Sequence, residues 1–292
     1  MARSTAFLLQ AQSNIPVQEV WLILIEAIVT ILLIPAIVWL IKYFIFDRHL
    51  HIKELLKITD KDIDGFKRLY TDRIPHKYRI DAEEIISYIG KHHSETEIKH
   101  HLLVCKSFNK VVAFVKFMSS LEPSFVFIAY IAIDKEHKSA NEKAMQIMLK
   151  KIIKKYTKRN SVYIVSEINK ASNNSANAIA RLFGRYAKAL GKMAFILDFD
   201  YWQPKMPNEL DSETDEDILA LLIVPGIIPE PEYQKFDKKK LMDIVSSIYY
   251  KIYLPSCNRL GGCMAYEEYL NSIMSFYRDI PEAINMIPAG RG

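Results

Sequence analysis

Glycine and proline are scarce in this chain, at 9 and 12 among 292 residues. With a charged fraction of 25%, that scarcity excludes a fibrous protein and a largely disordered one. Cysteine is scarcer still. Cys105, Cys257 and Cys263 are too few and too scattered for a disulfide framework, and they fit a reducing compartment. Strong charge of one sign is also missing. The net charge is +5, and no zinc-finger, helix-turn-helix or RNP-like pattern accompanies it, so no nucleic-acid partner is expected. There is no internal repeat and no long low-complexity tract. What is present is apolar: half of the residues are hydrophobic, enough for a sizeable core.

The longest apolar run comes early. Val20 to Ile41 carries a single charge, Glu26. As one helix it would place Trp21 and Trp39 roughly 27 Å apart, near the thickness of a bilayer's hydrocarbon, with an aromatic residue at each interface. A cleaved signal peptide fits less well, because bulky residues (Lys42 to Phe46) follow where a small-residue cleavage site belongs. A buried helix of a soluble core is the other reading, but 22 near-continuous apolar residues with no polar face favour a membrane span. The stretch therefore reads as a single-pass membrane anchor in contact with lipid. Lys42, Arg48, Lys53 and Lys57 follow it, whereas only Arg3 precedes it, which predicts a cytoplasmic body.

Beyond the anchor, periodicity marks out elements. Asp60 to Asp64 opens one helix and Asp81 a second, with Ile85, Ile86 and Ile89 on its apolar face. Leu102 to Phe117 reads as a hairpin around Ser-Phe-Asn-Lys. Phe125 to Ile133 is an almost unbroken apolar run, a strand buried on both faces. A polar loop, Asp134 to Asn141, leads to a basic amphipathic helix over Glu142 to Tyr156. Ser161 to Ile168 is the next strand, so the helix between is a crossover and the two strands run parallel. A helix over Ala176 to Leu190 follows, then strands over Lys192 to Tyr201 and Ile218 to Val224. Helices over Lys240 to Leu254 and Tyr266 to Tyr277 complete the chain. His92, His93, His100 and His101 lack the spacing of a metal site and read as solvated, so no metal is expected.

This order of elements resembles that of the GNAT superfamily, the Gcn5-related N-acetyltransferases, over roughly Lys53 to Val224. The residues that carry the likeness are Tyr130-Ile-Ala-Ile-Asp-Lys-Glu-His137, Ala180-Arg-Leu-Phe-Gly-Arg-Tyr186 and Asp200-Tyr-Trp-Gln-Pro204. The resemblance implies an α+β fold: a mixed, mostly antiparallel sheet with flanking helices, preceded here by the anchor (residues 1–50) and followed by a helical C-terminal extension (236–292). The acyltransferase domain would be 51–235. It also implies acetyl-CoA or another acyl-CoA as co-substrate and an amine as acceptor. The pantetheine arm would lie along Ile131 and Ile133, where one strand splays from its neighbour. The pyrophosphate would meet Lys138, Ser139, Ala140, Asn141, Glu142, Lys143 and Ala144, a segment without the family's usual glycines.

For catalysis the resemblance asks for a general base and a donor to the leaving thiolate. Alternation along the strand puts Tyr163, Val165 and Glu167 on one face, which makes Glu167 the candidate base, with Asp198 and Asp200 behind it. Phe183 aligns with the family's usual leaving-group tyrosine, and Tyr186, one turn on, is the candidate donor. The glycine-less segment keeps a second reading open: a catalytically inactive GNAT-like module that binds a ligand or partner at the membrane.

Overall fold

A computed structural model describes residues 17–42, 50–89, 98–136, 138–156, 162–169, 174–206, 210, 217–227, 235–257 and 263–289. It divides into two units, Met1–His49 and Leu50–Gly292. In the first, the apolar stretch is helical, but not as one regular helix. α1 (Val17–Ile28) runs into a π-helical turn (Val29–Leu33) and then α2 (Ile34–Lys42). Pro35 supplies a reason. Its ring would strike the carbonyl one turn back, and an extra residue in the turn relieves the clash. The N–H of Ile34 accordingly reaches back to the carbonyl of Val29. Among the described residues no helix is long and apolar enough to cross a membrane. The single spanning helix expected from the sequence is thus replaced by three shorter segments.

The second unit is built on a ten-stranded sheet. Its strands are β1 (Leu50–Glu54), β2 (Ile98–Ser107), β3 (Lys110–Ser120), β4 (Phe125–Ile133), β5 (Tyr163–Asn169), β6 (Phe195–Leu197), β7 (Tyr201–Gln203), β8 (Asp217–Pro225), β9 (Lys235–Asp237) and β10 (Ala283–Pro288). Their order is β1-β2-β3-β4-β5-β8-β6-β10-β9, with β7 also pairing β8. β4 and β5 are parallel neighbours and the other pairs are antiparallel. The β2–β3 hairpin turns at Phe108 and Asn109, with Phe108 in the left-handed region at φ 55°.

Alternation along each strand divides the core in two. On one face, α5 (Lys138–Tyr156) and α6 (Asn174–Lys188) pack Met148, Leu149, Ile152 and Phe183 against Val126, Ile128 and Ile164. On the other, α3 (Ile63–Arg73) and α4 (Ala82–Ser87) bury Phe66, Leu69, Tyr70 and Ile86 beside Phe114. The same side of the sheet carries α7 (Lys238–Ser247), a π-helical stretch (Ile248–Tyr253), α8 (Leu254–Cys257) and α9 (Cys263–Ser275). There Ile244, Ile248, Tyr249, Leu270 and Tyr277 join one cluster with Phe127, Val165, Phe195 and Leu221.

Two sequence expectations change. The segment after 235 is not only helical, because β10 pairs with β6 and β9 with β10, extending the sheet. The strand expected over Lys192 to Tyr201 is broken into β6 and β7. It pauses at Asp198 to Asp200, where the chain passes from one part of β8 to another.

Gly65 lies in α3 where a Cβ would come within 2.7 Å of Val111 Cγ2 and 2.9 Å of its Cβ. Alanine ordinarily stabilises a helix interior by about 1 kcal/mol relative to glycine. At this site the clash reverses the sign. Gly65→Ala is expected to lower the thermal midpoint, and adding Val111→Ala to recover part of the loss. Melting curves of both variants check this, and a single variant as stable as wild type would contradict the close approach.

Candidate active site

β4 and β5 pair only from Phe125–Ile128 against Tyr163–Ser166. Both strands then continue, to Ile133 and Asn169, without pairing each other. β4 stays paired with β3 through a bulge: Ile128 faces Phe117 and Tyr130 faces Lys116, leaving Ala129 as the extra residue. One inserted residue puts two successive side chains on the same side, and both Ala129 and Tyr130 line a single cavity. After the bulge the alternation is inverted, so Ile131 and Ile133 turn to the α5–α6 face. On β5 the first residue past the paired stretch is Glu167.

The cavity measures about 260 Å³. Toward β5 it is lined by Glu167, Gln203 and Tyr253, and toward β2 and β3 by His100 and Lys116, with apolar side chains such as Met118 and Phe127 between. The Glu167 carboxylate accepts three donors. Tyr201 O–H donates to Oε1 at 2.6 Å, Tyr253 O–H to Oε2 at 3.1 Å, and Gln203 Nε2 to Oε2 at 3.2 Å. Loss of water around the carboxylate pushes its pKa up to about 7, against the pull of those donors, which favour the charged form. A carboxylate has about four acceptor positions, so three donors leave room for one more proton-bearing group.

The backbone beside Tyr201 and Gln203 is held by tyrosines from the C-terminal segment. The N–H of Trp202 donates to Tyr277 Oη at 2.9 Å, and Tyr249 O–H donates to the carbonyl of Trp202. Lys205 N–H donates to Tyr269 Oη at 2.9 Å, and Tyr266 O–H to the Lys205 carbonyl at 2.8 Å. At the far wall Lys116 is 3% exposed, and burial alone lowers its pKa to about 7. Its Nζ is hydrogen-bonded to His100 Nδ1 at 2.8 Å. The His100 ring stacks on Tyr88 with centroids 4.4 Å apart.

No protein-family profile and no curated protein matches the sequence. Solved structures do match. A protein assigned to the GNAT-family acetyltransferases from Bacteroides thetaiotaomicron superposes with a TM-score of 0.50 at 13% identity, covering 70% of this chain and 98% of its own. The chain has the GNAT fold. The ribosomal-protein-S18-alanine N-acetyltransferase of Escherichia coli matches at a TM-score of 0.40 and 16% identity, covering 62% of this chain and 97% of its own. A spermidine N-acetyltransferase variant from Vibrio cholerae gives a TM-score of 0.40 at 13% identity, covering 61% and 95%.

Within the GNAT frame, Glu167 faces the cavity. Tyr186 does not line it: this residue is buried among Met148 and Phe183 on the opposite face of the sheet. Asp198 and Asp200 are exposed in the link between β6 and β7. The helix expected from Glu142 begins at Lys138, so Lys138, Ser139, Ala140 and Asn141 belong to α5, not to the loop. Lys143 is half-buried and Ala144 packs into the core, while the side chains at 138–142 lie outside the described residues. Neither His100 nor His101 is a freely solvated side chain: His100 is half-buried, stacked on Tyr88 and bonded to Lys116. His101 is buried, with Nδ1 2.6 Å from Glu54 Oε1 and Nε2 3.1 Å from Ser119 Oγ. His92 and His93 fall outside the described residues, and among the described ones no acidic, histidine or cysteine group forms a metal site.

The residues that sequence reasoning missed are Tyr201, Gln203, Tyr253, Lys116 and His100. One signal was available. Six of the chain's 16 tyrosines fall between Tyr249 and Tyr277, dense for a segment read as an appendage.

The raised pKa of Glu167 has a stability consequence. The folded state holds the proton more tightly than the unfolded one, whose carboxyl titrates at 4.5. Its destabilising effect is therefore absent below pH 4.5, grows as pH rises toward about 7, and is constant above that. Glu167→Gln removes the titration. Its stability relative to wild type should rise across that window by about 3 kcal/mol. Denaturant melts at pH 4.5 and 8 measure the difference, and an unchanged gap would mean that the carboxylate is not desolvated.

Proposed function

We propose that the protein is a membrane-anchored N-acyltransferase that moves an acetyl or other acyl group from acyl-CoA to an amine, with Glu167 as general base. The observation that carries this reading is a carboxylate with a pKa near 7, just past the last paired residue of a splayed strand pair and open to a cavity. An alkyl ammonium must lose a proton before it can attack a thioester. Glu167 accepts that proton at its remaining acceptor position. The amine nitrogen bonds to the acyl carbon, the C–S bond breaks, and the second nitrogen proton balances the thiolate. Tyr253, bonded to Glu167 and lining the cavity, is placed to relay it.

The unpaired stretch of β4 from Ala129 to Ile133 fits the amide-bearing arm of an acyl-CoA, and the start of α5 fits its phosphates. No glycine occurs between Asp134 and Tyr156, and that fact favours the inactive binding module. Against the module stands Glu167: a desolvated acid costs stability, and a module that performs no proton transfer has no use for it.

Glu167→Gln should lower kcat by about 10²- to 10⁴-fold and leave acetyl-CoA affinity nearly unchanged. Wild-type kcat should climb as pH rises through about 7, where Glu167 becomes the free base. Turnover within a few-fold of wild type would remove Glu167 from the mechanism. Calorimetry that detects no acetyl-CoA binding would leave only the module.

Anchoring is supported by the side chains of the first unit. Trp21, Ile25, Ile31, Leu32 and Val38 are all exposed. Its three helical segments follow one another without a break from Val17 to Lys42. At roughly 1.5 Å per residue they reach about 39 Å end to end, beyond the hydrocarbon thickness of about 30 Å. The basic residues after Ile41 favour a cytoplasmic catalytic unit. Protease added to sealed spheroplasts should spare the chain after Lys53, and its digestion there would reverse the orientation.

A further inference from the structure

The cavity has a second polar end for which proton abstraction has no use. Among its described lining residues Glu167 is the one acid, and three donors already engage it. The basic side chains are Lys116, Lys251 and His100. Lys116 stands out by comparison with the next lysine along the sheet. Lys106, buried on β2, sits 2.7 Å from the Asp62 carboxylate. Lys116 is more deeply buried, and its contact is His100, with no carboxylate among the described residues paired to it. A buried lysine that lines a cavity without a counter-ion gains one when a ligand brings an anion, and that anion favours its charged form.

The cavity sets the size of that ligand. Lys116 on β3 and Glu167 on β5 stand on either side of β4, past the point where β4 and β5 part, and both side chains face the same cavity. Much of the remaining lining is apolar, with Met118, Phe127, Met206 and Ile252, and suits an apolar side chain. A volume of about 260 Å³ lies below the roughly 300–1,000 Å³ typical of pockets for drug-sized ligands. We propose that the acceptor is a small apolar amino acid, with its carboxylate held at Lys116 and His100 and its amine presented to Glu167. The proposal rests on the acyltransferase reading for the reaction, but the anion subsite can be tested without it. The transfer balances: the N–C bond forms, the C–S bond breaks, one nitrogen proton goes to Glu167 and the second to the thiolate, and the carboxylate stays intact.

The test pairs each amino acid with the amine that lacks its carboxylate: L-leucine with 3-methylbutylamine, L-methionine with 3-(methylthio)propylamine, and L-phenylalanine with phenethylamine. Full-length protein in detergent is assayed with acetyl-CoA. At least one amino acid should be acetylated with a kcat/KM roughly ten- to a hundredfold above its partner amine, the worth of a charged hydrogen-bonded contact. Lys116→Met should erase that preference by raising KM for the amino acid, with little change in kcat and little effect on the amine. Amines used as well as amino acids, or a preference that survives Lys116→Met, would overturn the proposal and leave the acyltransferase intact. Should nothing be acetylated, calorimetric titration of the same amino acids decides. Binding that Lys116→Met abolishes supports the subsite while the acyltransferase reading fails, and no binding by wild type refutes the subsite as well. A melting curve guards against a misfolded variant, and the wild-type preference needs no variant at all.

Discussion

A carboxylate withdrawn from water is the constraint on which this fold turns. Desolvating an ionised carboxyl group costs several kcal/mol unless donors replace the lost hydration. Glu167 finds its donors 34, 36 and 86 residues further along, in Tyr201, Gln203 and Tyr253. The site therefore cannot form from the β4–α5–β5 unit alone. The last sixty or so residues must close over the sheet before the acid has its environment. That explains why the C-terminal helices bury tyrosines on the sheet, and why they bring their own strands, β9 and β10, to its edge.

The geometry of the site follows from two departures from regularity. Without the bulge at Ala129, strict alternation would send Ala129 and Tyr130 to opposite faces. With it, both line the cavity, and Ile131 and Ile133 turn toward α5. The second departure is the π-helical stretch over Ile248–Tyr253. An extra residue in the turn rotates the side chains beyond it about the helix axis, and Tyr253 ends this stretch with its hydroxyl on Glu167. Irregular backbone is concentrated where side chains have to be aimed.

Lys116 and Glu167 are displaced in opposite directions toward the same pH range, each because burial penalises its charged form. Two such groups facing one cavity weaken the fold. In the ion pairs elsewhere, Lys106 with Asp62 and Arg68 with Asp134, attraction to the opposite charge offsets part of that cost. Two desolvated titratable groups facing one cavity, neither with a counter-ion among the described residues, are the pattern of a candidate functional site held at the expense of stability.

The local pattern of residues was enough to determine much of the scaffold. The apolar run at Phe125 to Ile133, the four-residue recurrence of Ala144, Met148, Ile152 and Tyr156, and the hairpin at Ser107 to Lys110 each fix an element through contacts a few residues apart. The face occupied by Glu167 was legible too, because alternation along a strand is a local property. What only the tertiary structure decided was everything that depends on contacts between distant segments. Tyr186 was aligned by spacing along its helix, but packing turned it into the core of the opposite face. His100 and His101 looked alike in sequence, yet β2 sends one to Lys116 and the other to Glu54. Tyr201 and Gln203 lie in a segment that carried the family likeness, but no local pattern assigned them or Tyr253 a role at Glu167. They act on Glu167 because a ten-stranded sheet and four C-terminal helical segments bring them within hydrogen-bonding distance, and a pKa near 7 arises only once that enclosure has removed the water.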